Sequence, residues 1–290
     1  MTLKELIENS RPIISELSVR TYLSNLRKVG IKEEEDLPKL TKTFDVIKEI
    51  EGLKKTTMKR NVLSAVLVAV KAADMPNEIY NAYRDVLFKI TKTYNAELSE
   101  NKKTFTQEQN WVTMAELKKV TKQLIKSGVS QNALIAALYT YQPPVRLDYY
   151  NMRIVGPKDD MEGKQNFLVI HNRSKKVFVF RDFKTANKYN EVKVPVSKML
   201  NSVLNKFLKA NPNREYLLEK VRTREPLTRN ALGKLLPQIF EPTGKQVSLN
   251  ILRHVYISEA IDIDQIKAQE KLAKQMMHSP DEQQTYAKTE

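Results

Sequence analysis

Helical periodicity runs through this chain except in one place. Between Phe167 and Val196 the apolar residues stop recurring every three or four positions. They gather instead in short runs: Phe167-Leu168-Val169-Ile170, Val177-Phe178-Val179-Phe180 and Val192-Lys193-Val194-Pro195-Val196. β-Branched and aromatic runs of that length are strand signals, and three in succession predict a three-stranded antiparallel sheet. Elsewhere glycine is scarce, 7 residues in all, while lysine, glutamate and leucine are common, a bias towards helix. The expected fold class is therefore mainly α with a small antiparallel β-sheet, an α+β protein.

A chain of 290 residues suggests two domains. The first, residues 1–98, reads as a helical bundle. Thr2 and Glu5 form a capping box for a helix that Pro12 closes. A second helix runs from Ser18 to Gly30, a third from Phe44 to Glu51, and the acidic run Glu33 to Asp36 between them reads as a solvated turn. A longer helix opens at Thr56, apolar on most sides and so central, and a fifth begins at Pro76. Residues 99–110 are polar without a helical apolar period and read as a linker. The second domain, 111–290, opens at Trp111 or Thr113. It holds helices over Met114 to Ser127 and Gln131 to Tyr141, the sheet, and helices over Lys198 to Leu208 and Thr228 to Phe240 before the closing segment.

Charge narrows the choice of partner. The net charge is +15, and it is uneven: residues 1–110 carry 19 Lys+Arg against 16 Asp+Glu, residues 111–290 carry 30 against 18. An excess concentrated in one domain points to an acidic polymer, nucleic acid before anionic membrane, with plain solubility as the alternative. The longest apolar run, Ala65 to Val70, is too short to span a bilayer, and Met1-Thr2-Leu3-Lys4-Glu5 lacks the apolar run of a signal peptide. These features predict an intracellular protein, with nucleus, cytoplasm or virion left open. Without cysteine, and with only His171, His254 and His278, neither a disulfide framework nor a zinc centre is expected.

The segment from Ser248 to Tyr286 concentrates the chemistry. Ser248 is placed to cap a helix on which Asn250 and Arg253 share one face, while Leu249, Leu252, Tyr256 and Ala260 turn towards a core. His254 reads as a buried support. The apolar pattern of Ile263 to Met277 stops at His278, and Ser279-Pro280 supplies an N-cap followed by proline at the first helical position. His278 is thus expected at a helix-to-helix corner, with Tyr286 on the next short helix. Far upstream, Pro144-Val145-Arg146-Leu147-Asp148 sets one arginine on a rigid corner where a helix breaks, and Lys184 lies in the connection between the second and third strand runs. Taken singly, such an arginine is usually a surface charge and such a turn is usually solvated.

Together these segments resemble the boxes of the tyrosine recombinases, the phage-integrase family. Asn250-x-x-Arg253, Met277-His278-Ser279 and Tyr286 match the family's His-x-x-Arg helix, its following histidine and its tyrosine nucleophile, with Asn250 standing where most members have histidine. Arg146 matches the first catalytic arginine, and Pro-Pro-Val-Arg-Leu-Asp is similar to members encoded by viruses and mobile elements. Lys184-Thr185 fits the catalytic lysine better than Lys188-Tyr189. The resemblance implies a helical core-binding bundle followed by a catalytic domain, acting on duplex DNA as a homo-tetramer on paired sites, monomeric or dimeric without DNA. It also implies strand exchange through a 3′-phosphotyrosine, with no metal, ATP or other cofactor. Many members carry a further C-terminal assembly helix, whereas here only Ala287 to Glu290 follow the tyrosine; the assembly contact is expected elsewhere or in a missing segment.

The residue chemistry suits those roles. Arg146 and Arg253 can each donate paired hydrogen bonds to non-bridging phosphate oxygens and remain charged. Lys184 can protonate a leaving 5′ oxygen if neighbouring cations lower its pKa. His278 can hydrogen-bond the transferring phosphate; Asn250 can donate to it but cannot act as an acid or base as histidine would. Two further runs are candidate DNA contacts: Thr56, Thr57, Lys59 and Arg60 at a helix start, and Lys220, Arg222 and Arg224 followed by Arg229. A solvated charged face is the alternative for both. Type IB topoisomerases and telomere resolvases share the nucleophile and cationic clamp and remain alternatives, as does a decayed recombinase that only binds DNA.

Overall fold

The computed structural model of the chain describes residues 2–286, apart from the side chains of Gln284 and Thr285; Ala287 to Glu290 lie outside the described residues. The chain divides into two compact units, Met1–Lys102 and Lys103–Glu290.

The first unit is helical: α1 (Leu3–Ser10), α2 (Glu16–Leu26), α3 (Thr43–Glu51), α4 (Thr56–Ala72) and α5 (Asn77–Ser99). Local chemistry sets its ends. Thr2 and Glu5 bond reciprocally, at 2.7 and 3.2 Å, in the capping box ahead of α1. A 3-10 turn follows α2 and stops at Gly30, whose φ of 77° needs a residue without a Cβ. The acidic run expected as a plain turn instead begins a 3-10 helix, Glu34–Thr41, because Asp36 accepts the Lys32 and Glu33 amides at 2.8 and 3.1 Å. Helix α4 is buried on most sides through Val62, Leu63, Ala65, Val66 and Val68 to Val70, and packs against α1, α2, α3 and α5. Burying each large apolar side chain there contributes roughly 1.5–3 kcal/mol.

The second unit begins inside the segment expected as a linker, where Phe105–Asn110 forms the short helix α6 behind a Thr104/Gln107 capping box. It continues with α7 (Met114–Ser127), α8 (Gln131–Thr140), β1 (Arg153–Val155), β2 (Phe167–Ile170), β3 (Lys176–Phe180), α9 (Ala186–Tyr189), β4 (Val192–Pro195) and α10 (Lys198–Ala210). Helices α11 (Arg229–Ile239), α12 (Leu249–Ala260), α13 (Ile263–Gln275) and α14 (Pro280–Tyr286) complete it. The sheet has one strand more than expected. Its order is β1-β2-β3-β4, with β1 parallel to β2 and the other pairs antiparallel. Three residues are too few to show a period, and parallel partners require a long connection rather than a tight turn, here residues 156–166.

Helix α8 is the core of this unit, every residue from Ala133 to Thr140 being buried. It packs against α7, α10 and α11. The sheet alternates as strand geometry requires: Leu168, Phe178 and Phe180 face this core, while Phe167, Val169 and Val179 form a smaller cluster with Val155 and Met161. Tyr149 fastens α8 to the sheet, its ring edge-on to Tyr139, Phe178 and Phe180 at 5.6, 5.2 and 5.8 Å. Among the described residues no helix is long and apolar enough to cross a membrane.

Candidate active site

The corner after α8 carries Arg146 and is held from several sides. Gln142, buried, donates to the Pro195 carbonyl and accepts the Ser197 amide, both at 3.0 Å. The Tyr139 hydroxyl donates to the Arg146 carbonyl at 3.0 Å. On the other side, a Cβ added to Gly233 of α11 would stand 3.3 Å from Leu147 Cδ1, so glycine lets this corner sit close against that helix. Arg146 itself is half-buried, and among the described residues its guanidinium has no hydrogen bond or ion pair.

Asp148 is where separate segments converge. It is 4% exposed, and burial pushes its carboxyl above the usual carboxylate range; Arg229, Arg146 and Arg253 pull it down, and Asp182 pushes it up. Three guanidinium groups and a second carboxylate therefore lie close enough to act on this one side chain, Arg229 alone at ion-pair distance among the described residues. Arg229 Nη2 lies 3.4 Å from Asp148 Oδ1 and 3.9 Å from Asp182 Oδ2. Among the described residues Asp148 Oδ1 accepts no hydrogen bond, so its contact with Arg229 is Coulombic only. The Arg229 guanidinium lies 4.9 Å from the centre of the Tyr150 ring, and Tyr150 donates to Asp182 Oδ2 at 3.0 Å. Arg229, expected as a DNA contact following Lys220 to Arg224, stands in this cluster with its side chain part-exposed. Asp182 and Tyr150 carried no sequence signal, because only the fold brings the β3–β4 connection beside the Arg146 corner.

Lys184 rides on that connection, which is more structured than a plain turn. It contains the single helical turn α9, ended by Asn190 at φ 55°. An Arg181–Glu191 ion pair of 2.6 Å closes its base. Lys184 is exposed and, among the described residues, makes no hydrogen bond or ion pair, whereas the ammonium of Lys188 sits over the Tyr189 ring at 5.3 Å. Lys184 lies two residues from Asp182 and so beside the arginine cluster along the chain.

Helix α12 starts as its cap requires, with Ser248 Oγ accepting the Ile251 amide at 3.4 Å. Ile251, Leu252 and Val255 are buried, Arg253 is half-buried and Asn250 is exposed. Two expectations need correction. His254 is exposed rather than a buried support, since it follows Arg253 round the helix away from the buried stripe; Ala260 is exposed too, lying at the helix end.

The α13–α14 corner forms a Schellman motif. The His278 amide donates to the Ala273 carbonyl at 3.1 Å and the Met277 amide to the Lys274 carbonyl at 3.2 Å, with Met277 at φ 59°. Ser279 then caps α14 through the Glu282 amide at 3.1 Å. The His278 ring stacks on Tyr286 at 5.6 Å, with 25° between the planes, and its Nε2 is buried with no hydrogen-bond partner among the described residues. Tyr286 is 65% exposed. The structure thus groups Arg146 with Arg253 around Asp148, and His278 with Tyr286. Among the described residues no hydrogen bond, ion pair or ring contact joins these two groups, or ties either to Asn250 or the Lys184 side chain.

The remaining candidates divide. At the start of α4, Thr57 is exposed and Thr56 and Lys59 are half-buried; Arg60 is engaged by α5, donating to Thr91 at 3.2 Å and lying 4.5 Å from the Tyr94 ring centre. Lys220 pairs with Glu225 at 2.7 Å, Arg222 is exposed, and Arg224 has a φ of 57°. Lys220 and Arg224 line a cavity of about 300 Å³ with Arg214 and Glu219. The described residues hold no cluster of three or more His, Asp or Glu able to bind a metal.

No family model matches the chain, and no curated protein matches it. Among solved structures, one titled "Crystal structure of XerA recombinase" is similar at 15% identity and a TM-score of 0.39, over 89% of this chain and 82% of that one.

Proposed function

We propose that this protein cuts and rejoins duplex DNA by tyrosyl transfer, as a site-specific recombinase of the tyrosine-recombinase type. One observation carries the reading: Arg146 and Arg253, from separate helix-bounded segments, both lie within electrostatic reach of one buried carboxylate, and among the described residues neither has an anionic partner at bonding distance. Guanidinium groups held in that way are disposed to receive an anion carrying several oxygens, and a phosphodiester is such an anion.

The Tyr286 hydroxyl attacks the scissile phosphorus, its proton passing to water. The bond from phosphorus to the 5′ oxygen breaks, leaving a 3′-phosphotyrosine, and the departing oxygen takes a proton from the Lys184 ammonium. Arg146 and Arg253 balance the charge that builds on the non-bridging oxygens, and His278 and Asn250 donate hydrogen bonds to them. Because the phosphotyrosine retains the ester bond energy, a 5′ hydroxyl from another strand can reseal it. Thr56, Thr57, Lys59, Lys220, Arg222 and Arg224 are the proposed contacts to flanking DNA, and the working assembly is a tetramer on two paired sites.

Covalent capture tests this. Protein is incubated with fragmented DNA in EDTA, denatured, and the DNA that stays attached is sequenced; Tyr286→Phe is run beside it. Adducts that vanish in the variant support metal-independent tyrosyl transfer, and their ends map a site for a two-site recombination assay. Relaxation of one duplex or hairpin formation without recombination would assign the protein to the topoisomerase or telomere-resolvase alternatives. DNA binding with no adduct from either protein, even on nicked substrates, would leave only a DNA-binding role.

A further inference from the structure

The side chain of Asn166 is fully buried, yet none of its polar capacity is wasted. Its amide nitrogen donates to the Asp148 carbonyl at 2.8 Å and to the Asp182 carbonyl at 2.9 Å; its oxygen accepts the amides of Arg181 and Asp182, both at 2.8 Å. Two carbonyls at one end and two N–H groups at the other leave a single orientation for the carboxamide. Its backbone is fixed as well, since the Asn166 carbonyl accepts the Arg153 amide at 2.9 Å. One side chain, at the end of the connection into β2, therefore joins the loop that carries Arg146 to the base of the connection that carries Lys184.

The two ends of this bridge are not equally dependent on it. The Arg146 corner has its own support in Tyr139, which holds the Arg146 carbonyl. The Lys184 connection is closed internally by Arg181 and Glu191, but that pair fixes its neck and not its direction relative to the corner. Three of the four Asn166 bonds go to Arg181 and Asp182. Other ties across the gap are the Tyr150–Asp182 hydrogen bond of 3.0 Å, the looser ion pairs of Arg229 at 3.4 and 3.9 Å, and the partly buried Phe183 ring packed against the core; none of them holds the backbone on both sides as Asn166 does. We propose that Asn166 is a positioning residue that sets the direction of the Lys184 connection against the arginine corner, and so the delivery of the proton to the leaving oxygen. The proposal rests on the tyrosyl-transfer reading above.

Replacing the scissile 5′ oxygen by sulfur separates this role from general support. A thiolate leaves without a proton because thiols are far more acidic than alcohols, so a misdirected lysine no longer matters. Asn166→Ala is expected to slow adduct formation on ordinary DNA roughly 100-fold, the scale of a catalytic group misplaced by about 1 Å. On the sulfur-bridged substrate it is expected to run within a few-fold of the wild type, as Lys184→Ala does. Equal slowing on both substrates, or no slowing on either, overturns the proposal. If Asn166→Ala does not fold, Asn166→Asp, which keeps both acceptor bonds and loses both donors, is run in its place with the same pattern expected.

Amide exchange on the unaltered protein decides the point independently of any variant. The Arg181 and Asp182 amides, outside the β-ladder but bonded to a buried side chain, should be strongly protected while residues 183–190 exchange readily. Rapid exchange at Arg181 and Asp182 overturns the bridge. Should the wild type form no adduct on either substrate, the tyrosyl-transfer reading fails, and the functional role of Asn166 fails with it. Protection at Arg181 and Asp182 would then show that the bridge itself stands.

Discussion

The cluster around Asp148 and the corner holding His278 and Tyr286 are built to opposite specifications. Around Asp148 every segment is tied down: Tyr139 holds the Arg146 carbonyl, Asn166 holds the Asp148 carbonyl, and Tyr149 packs three rings beneath. At the other corner, α13 buries one residue, Ala273, and leaves Ile266, Leu272, Met276 and Met277 exposed. Electrostatic stabilisation gains most from groups that need not move when charge develops, whereas a nucleophile that attacks and later releases its phosphate can sit on a segment of low local stability. On the tyrosyl-transfer reading proposed above, the contrast puts the firmly packed framework at the charge clamp and the thinly packed segment at the nucleophile.

Activity should break that contrast most sharply. Tyr286→Phe is expected to abolish the covalent adduct completely while leaving DNA affinity and thermal unfolding unchanged. Arg146→Ala and Arg253→Ala should each lower the adduct-forming rate about 10²–10³-fold, the range for removing one donor to a developing anion. Single-turnover rates check both. If the arginine variants cleave normally, the clamp is structural only.

Stability should show the same asymmetry. Tyr149 is fully buried and edge-on to three rings, so Tyr149→Ala is expected to cost about 3–5 kcal/mol. Leu272→Ala on α13 removes a half-exposed side chain and should stay within about 0.5 kcal/mol. Trp111, the single tryptophan, lies in the same unit, and its fluorescence during denaturant unfolding reads both variants. Equal losses would mean that α13 is packed as firmly as the core.

A smaller change sharpens the comparison at the corner itself. Met277 holds a left-handed φ of 59°, which costs a residue with a Cβ about 1 kcal/mol. Met277→Gly should relieve it and slow exchange of the His278 amide, which bonds the Ala273 carbonyl, by roughly fivefold. Unchanged or faster exchange would place the weakness of this corner in α13 rather than in its turn.

What was legible in the sequence follows the range of the interactions. Caps act over three residues, so the starts of α1, α7 and α12 at Thr2, Thr113 and Ser248 could be read directly. The proline-broken end of α8 and the corner at His278 are equally local. Strand β1 escaped notice because three residues hold no period and its partner lies beyond a long connection. His254 was misjudged because proximity to Arg253 along the chain says nothing of burial one position further round a helix. That Arg229, Asp182, Tyr150 and Asn166 meet beside the Arg146 corner was not legible, because each does so through a contact between distant segments.

The least effect expected concerns Asp148, and it tests whether the rigid cluster is strained by its own carboxylate. Burial raises this carboxyl, and Arg229, Arg146 and Arg253 compensate only in part. The folded state therefore binds the proton more tightly than the unfolded chain, and its stability falls as pH rises through the folded value. Above that value the ionised carboxylate is a fixed cost; below the unfolded value the cost is gone. Asp148→Asn removes a charge the site holds unfavourably, so the variant should be the more stable of the two at neutral pH. The difference should shrink as pH drops through the carboxylate range. Chemical denaturation of the two proteins from pH 7 to pH 4 measures it, and the subtraction cancels carboxylates such as Glu116 and Glu191, whose lowered values act in the opposite sense. A variant less stable than the wild type at pH 7 would mean that the three arginines need the Asp148 charge more than burial opposes it. The clamp would then be held together by that carboxylate rather than by the packing beneath it.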